Sequence, residues 1–402
     1  MDRIALKEAV RNTCPNIRPL RKMLSKYRLH EIDKYAAVEK EVRVFSGEDI
    51  TLEEKRAIVE RCRSKFPEDV KKIEIKAKAL LCAASAYKER AADDDVMADL
   101  LFSYFAMGFS PAEYIYLHVE NRTIADRKTF LTDREKDRCH VIVNDLVDSG
   151  VFSDKAKTYK RFAAQFGRDA VEVNGAGDFA AFESFVKKHP VFVSKRVYSS
   201  RGKGVNKIDI AGDHRSVREI FDEMVSGGKH LCEELVIQSP ETQVFNSSSV
   251  NSIRLVSAYT RNGIEFPYAF FRMGRSGSFV DNAGSGGISC GVNTANGVFD
   301  TIGYDEYGTG YASHPDSGVK FMGFQLPAWQ ELIALATELS LQLPTVKMIG
   351  WDFAYSSRGW VIIEGNPLGE LGVVQLPYQA GIKQGVKDIL GRMDLMVHDY
   401  DL

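Results

Sequence analysis

Several things that would mark a specialised chain are missing here. No apolar run in the 402 residues approaches the roughly 20 that cross a membrane. The opening MDRIALKEAV is charged where a secretory signal carries an apolar core. There is no excess of one charge: 53 Lys and Arg stand against 55 Asp and Glu, a net of -2, whereas a nucleic-acid binder shows a basic surplus. Six cysteines (Cys14, Cys62, Cys82, Cys139, Cys232 and Cys290) form no Cys-x-x-Cys pair. That fits reduced thiols in a cytoplasmic protein better than zinc or a disulfide framework. No internal repeat is visible, and the only biased stretch is the short polar loop from Asn246 to Ser249. Nor does a Ser-His-Asp or Cys-His set stand out for nucleophilic catalysis. The rest is ordinary: 44% hydrophobic, 27% charged, and long enough for two or three domains.

The pattern divides the chain. Residues 1–150 read as helical. Thr51 with Glu54, Ser110 with Glu113 and Thr132 with Glu135 match the capping box, and Pro111 suits a first helical position. Val70, Ile73, Ala77, Leu80 and Leu81 have the spacing of a buried stripe, and Leu100 to Phe109 is apolar enough to pack on all sides. From Phe192 onward, β-rich runs alternate with glycine turns, interrupted by helices such as the one after Pro327. Separate strands and helices imply an α+β class.

The most telling segment is GWDFAYSSRGWVIIEGNP, Gly350 to Pro367. It reads as a hairpin around Ser-Ser-Arg-Gly. Glu364 and Asn366 are two apart, so they leave one face of a strand, and pairing brings Asp352 beside them. Three hard oxygen donors then converge where magnesium carrying nucleotide phosphates could sit. Upstream, VFVSKRVYSSRGKGV delivers Lys195 on a strand, followed by a loop of small residues with Arg201 and Lys203. Such a loop lets backbone N–H groups approach phosphates, although its spacing is not that of a Walker loop. LCEELVIQ is an apolar strand with adjacent acids, Glu233 and Glu234. Arg254 and Arg272 lie in very apolar strands, and a buried arginine needs an anionic partner.

Taken in order, these pieces resemble the ATP-grasp superfamily, most closely its sugar-transfer-associated branch, over roughly residues 100 to 385. The resemblance rests on Asp154-Lys155, Phe192 to Lys195 with SSRGKGV, CEELVIQ, VNSIRLVSA, FRMGRSGSFVDNAGSGGIS, His314-Pro315, GWDFA and IIEGNP. It implies two α+β subdomains gripping ATP, here 151–240 with the phosphate loop and 241–402 with the magnesium and acceptor site, after the helical region. It also implies magnesium, two ions, with ATP as co-substrate. Lys155 and Lys195 would contact phosphates, and Ser199, Ser200, Arg201, Gly202, Lys203 and Gly204 would close over them. Glu233, Leu235 and Val236 would form the adenine hinge, and Glu241 would hold ribose. Asp352, Glu364 and Asn366 would hold metal, while Arg254 and Arg272, with Lys195, would act on the transferring group. Asp281, Asn282, Gly286, Gly287 and His314 would lie near the acceptor.

One departure matters. Many such ligases carry an arginine two residues before the magnesium aspartate, and here that position is Gly350; Arg254 is the first choice to replace it. The expected activity is a carboxylate–amine ligase acting through an acyl-phosphate. Its carboxylate would be a small molecule or saccharide, such as a uronic acid of a surface polysaccharide precursor, and its amine an amino acid. The alternatives are a kinase for a sugar hydroxyl, with Asp281 or His314 as base, and a nucleotide-binding module without chemistry.

Overall fold

The computed structural model describes residues 18–43, 50–198, 204–279, 281, 286–367 and 369–397. Among the described residues, helices predominate from Arg18 to Phe166, for local reasons. Thr51, Ser110 and Thr132 cap their helices and pair reciprocally with Glu54, Glu113 and Glu135, satisfying N–H groups that a helix start leaves unpaired. Along helix Pro67–Ala83, Val70, Ile73, Ala77 and Leu81 are buried, while Leu80 is half-buried at the margin of the stripe. Leu100, Leu101, Phe102, Phe105 and Phe109 are all buried. Thr132→Ala is expected to cost about 1 kcal/mol, seen as a lower urea midpoint with an unchanged slope; an unmoved midpoint would show the cap to be idle.

Two antiparallel sheets follow. β1 (Ala170–Val173), β2 (Val191–Arg196), β3 (Val205–Asp209) and β4 (His230–Glu234) make the smaller, in the order β1-β4-β2-β3. Phe192 and Cys232 face two helices, Phe179–Lys188 and Val217–Ser226, and pack with Phe182 and Phe221. Alternation along the strands sends Lys195 and Glu233 to the opposite face.

The larger sheet contains β5 (Ser252–Thr260), β6 (Gly263–Met273), β7 (Ile288–Val292), β8 (Phe299–Tyr304), β9 (Gly310–Tyr311), β10 (Met348–Ser356) and β11 (Gly359–Asn366). Their order is β11-β10-β5-β6-β7-β8-β9. Ile253, Leu255, Phe271, Trp351 and Phe353 pack on helix Trp329–Leu341 through Leu332, Ala336 and Leu339. On the other face, Val256, Ala258, Phe270 and Met348 meet Cys139, Val143, Leu371 and Val374 from helices Asp133–Val143 and Leu371–Tyr378. Arg254, Arg272 and Asp352 share this second face by alternation. The face is thus apolar under the helices and charged where the strands run on.

The helical region is fastened to this sheet. Asn144 Nδ2 donates to the Met348 carbonyl and its Oδ1 accepts from the Met348 N–H, both at 2.9 Å. Gln375 Oε1 accepts from the Leu131 N–H at 2.8 Å. Mixed helices and antiparallel sheets make this the α+β class that the sequence implies. Among the described residues, no helix is long and apolar enough to cross a membrane.

Candidate functional site

Three adjacent strands place Glu364, Asp352 and Arg254 in one row. Asp352 pairs with Glu364 across β10–β11 and with Arg254 across β10–β5. The β10–β11 hairpin closes between Ser356 and Gly359, as its Ser-Ser-Arg-Gly turn implies. Arg272 stands opposite Ser252 on the β6 side.

Arg254 is 2% exposed and Asp352 1%. Arg254 Nη2 donates to Asp352 Oδ2 at 2.9 Å, and its Nε donates to Oδ1. Arg272 Nη2 lies 2.9 Å from the same Oδ2 and 2.8 Å from Ser252 Oγ, whose hydroxyl donates to Asp281. Burial opposes the charge of Asp352, but Arg254 and then Arg272 overcome it and hold the carboxyl below its usual range. Arg254 Nη1 is buried without a hydrogen-bond partner. A guanidinium donor left unpaired in such a place suits an anionic ligand atom.

Gly350 makes room for this arrangement. A Cβ there would stand 2.8 Å from Arg254 Cδ and 3.0 Å from the backbone of Gly369. The strand position where an arginine is missing is therefore the floor on which the Arg254 stem rests.

The smaller sheet faces this row. Lys195 Nζ donates to Glu233 Oε2 at 2.9 Å, and Arg168 Nη2 donates to the same oxygen at 2.6 Å. Arg168 also donates to the Ile362 carbonyl on β11, which ties the two sheets together. Lys155 opens helix Lys155–Arg161, capped by Asp154. Burial lowers its pKa, Glu364 raises it, Lys195 lowers it and Glu233 raises it, so these groups share one neighbourhood. Solvent reaches Glu364, yet burial is the main cause of its raised pKa, with the charge of Asp352 second. Both statements hold for a carboxylate on the floor of a cleft.

Asp352, Glu364 and Asn366 offer oxygen atoms to a cation, as magnesium requires. Asp352 accepts three donors and a carboxylate offers about four lone-pair positions, so one remains. A cation would also relieve the repulsion between Glu364 and Asp352. The donor set fits the metal. In metal-free buffer, Glu364→Gln should raise the melting temperature at pH 8. The folded pKa of Glu364 lies above its unfolded value, so its penalty is full above the folded pKa and shrinks as pH falls through it. It vanishes below the unfolded value of about 4.3. A variant that melts below the wild type at pH 8 would contradict this.

Other expected residues are placed elsewhere or not described. Leu235 and Val236 follow β4, half-buried. Glu241 is exposed on the short helix Pro240–Gln243, its carboxylate accepting from Ser239. His314 is 1% exposed beside Phe245 and Phe321, bonded to the Gly274 carbonyl and the Ser317 N–H. That is a core position, away from the row. Gly204 and Gly286 have φ of 72° and 85°, and Gly287 is buried just before β7. Ser199, Ser200, Arg201, Gly202, Lys203 and Asn282 lie outside the described residues. Sequence reasoning missed Arg168, Ser252 and Glu370; the last accepts from Asn366 Nδ2 at 3.2 Å. Arg168 precedes a short strand with no apolar run around it, so nothing in the sequence marks it as buried.

A family profile described as sugar-transfer associated ATP-grasp matches residues 142–390. No curated protein matches the chain. Among solved structures, the ATP-grasp ligase PsnB complexed with minimal precursor is 10% identical with a TM-score of 0.39, over 62% of this chain and 64% of that one. D-alanine-D-alanine ligase from Helicobacter pylori is 13% identical at 0.39, over 63% and 62%. VanG D-Ala:D-Ser ligase from Enterococcus faecalis is 12% identical at 0.40, over 62% and 63%. The chain spans less than two thirds of the length of each of these three.

Proposed function

Because the chain belongs to the sugar-transfer associated ATP-grasp family, we propose that it is an ATP-dependent carboxylate–amine ligase working through an acyl-phosphate. The observation that carries this reading is the row Glu364–Asp352–Arg254 facing Lys195 from the other sheet and Lys155 from the helix that it opens. In this reading residues 151–240 hold the nucleotide, 241–402 hold metal and acceptor, and 1–150 form the helical region.

Lys155 and Lys195 bind the phosphates, with Glu233, itself held by Arg168, keeping Lys195 in place. The backbone at Leu235 and Val236 takes the adenine edge, and the loop from Ser199 to Gly204 covers the phosphates. Asp352, Glu364 and Asn366 hold magnesium, which when bound neutralises charge on the phosphoryl oxygens. The carboxylate oxygen of the first substrate attacks the γ-phosphorus and ADP leaves. The amine then attacks the acyl carbon, phosphate leaves and the amide forms. Arg254 Nη1 and Arg272 stabilise the charge carried between those steps, where fixed donors in a dry site are most effective. Uronic acids and amino acids are the first substrates to try.

The test is ADP and phosphate release from magnesium-ATP with pooled uronic acids and pooled amino acids. A ligase releases both products in equal amounts, and only with both pools present. A kinase releases ADP without free phosphate and would replace this reading.

A further inference from the structure

The helical region and a helix near the end of the chain frame a cavity of about 330 Å³, at the lower end of the range of about 300–1,000 Å³ that small-molecule sites occupy. Its lining shares no residue with the Glu364–Asp352–Arg254 row or with the Lys155 and Lys195 side of the cleft. Distant parts of the chain meet there. Glu39 and Val42 come from helix Ala36–Arg43, Ala106 and Met107 from the turn Ser103–Met107, and Lys383 and Lys387 from helix Lys383–Leu390. The turn Ser103–Met107 is π-helical, a rare geometry that is frequent at functional sites.

Charge around the cavity is uneven. Arg127, Lys128, Arg138, Lys383 and Lys387 line it against two carboxylates, Glu39 and Glu135. Burial opposes the charge of Glu39, but Arg134 and Arg138 overcome it and hold the carboxyl below its usual range. The surplus of cations stands with both acids counted as charged. Behind them, Asp33 and Asp99 are matched in charge by Arg134 and Lys55. Lys383 Nζ donates to Glu135 Oε1 at 2.8 Å, which leaves the amine further N–H donors. Lys387, one turn on, is exposed and has no side-chain partner among the described residues. Like charges four apart repel on a helix, and the first turn of a helix favours anions over cations. This helix has no acid in its first turn. An anion held by the two amines would offset both costs.

The carboxylates and the apolar wall define the rest of the ligand. Glu39 accepts from Arg134 and Arg138, and Glu135 from Lys383 and from the N–H and hydroxyl of Thr132. A carboxylate offers about four lone-pair positions, so each keeps room for a hydroxyl donor. Val42, Ala106 and Met107 present carbon to the same cavity. We infer that it binds a small hydroxylated phosphate ester, such as a sugar phosphate, with the phosphate on Lys383 and Lys387 and the hydroxyls on Glu39 and Glu135. This stands apart from the ligase reading and gives the helical region a ligand of its own. Helix Asp133–Val143 starts at the cavity with Thr132 and Glu135, and Asn144 at its end holds the Met348 backbone, so the site is a helix length from β10.

Isothermal titration calorimetry on the full chain tests this, with magnesium-ADP present to fill the nucleotide site. The probes are glucose 6-phosphate, ribose 5-phosphate and glycerol 3-phosphate, beside inorganic phosphate and glucose. At least one ester should bind, and Lys387→Glu should weaken it about tenfold or more. Lys387 is exposed, so this variant should melt with the wild type. Lys71→Glu, an exposed charge reversal on helix Pro67–Ala83, should leave the affinity unchanged. Absence of binding by every ester would overturn the inference, as would equal affinity in wild type and Lys387→Glu. Equal losses in the two variants would also overturn it, since overall charge alone would then explain them. Inorganic phosphate or glucose binding as tightly as the best ester would overturn the hydroxylated ester as the ligand.

Discussion

Asp352→Asn should lower turnover about a thousandfold and remove about 3–5 kcal/mol of stability. Both losses have one origin. The carboxylate is shared by Arg254 and Arg272 in a site that is almost closed to water. An amide there cannot balance two guanidinium charges, and one of its two heavy atoms is a donor facing donors. It is also a poorer ligand for a hard cation than a carboxylate. ADP release from magnesium-ATP under folded conditions reads the first loss, and urea unfolding reads the second. A stable Asp352→Asn protein with wild-type turnover would remove both the metal assignment and the account of the arginine pair.

Gly350→Ala is the second large effect, although it adds a single methyl group. That methyl meets Arg254 Cδ at 2.8 Å and Gly369 backbone at 3.0 Å. The backbone cannot yield cheaply, so the guanidinium must move off Asp352. Overpacking of this kind costs about 1–3 kcal/mol, and a displacement near 1 Å of a positioning group costs about a hundredfold in rate. Lys155 and Lys195 belong to a different helix and sheet, so ADP affinity should hold. The expected pattern is therefore weak turnover with intact nucleotide binding. Unchanged turnover would show that Arg254 is not acting on the reacting group.

The parts of the site that were legible in the sequence are those set by period and turn. Glu364 and Asn366 lie two apart on one strand, a Ser-Ser-Arg-Gly turn brings Asp352 beside them, and Lys195 ends an apolar run. Arg254 and Arg272 were conspicuous because charge in an apolar strand needs a partner. What was not legible is which partner each charge takes, because that is settled by strand order. β10 lies between β11 and β5, so Asp352 meets Arg254 from a strand nearly a hundred residues earlier. The same holds for Glu233, whose acid reads as an ambiguous edge position. It becomes the anchor of Lys195 only once Arg168 arrives beside it. The helical region read as packing material. Its contact with the segment after β11 depends on Asn144, Gln375 and Pro367, and no local pattern relates these three residues.

His314 shows the opposite limit. A histidine beside a proline in a loop is a natural candidate for a base, but both of its ring nitrogens bond to the backbone among phenylalanines. Burial lowers its pKa, as expected of a neutral core imidazole.

The central claim is that the Asp352–Arg254 row transfers phosphate to a carboxylate. Uronic acids carrying heavy oxygen in the carboxyl group, supplied with magnesium-ATP and pooled amino acids, test it most directly by mass spectrometry of the released phosphate. The acyl-phosphate route leaves one carboxylate oxygen on phosphate at each turnover, so labelled phosphate should accumulate with ADP. ADP released alongside phosphate that carries no label would mean that water had taken the phosphoryl group, and would contradict the ligase account.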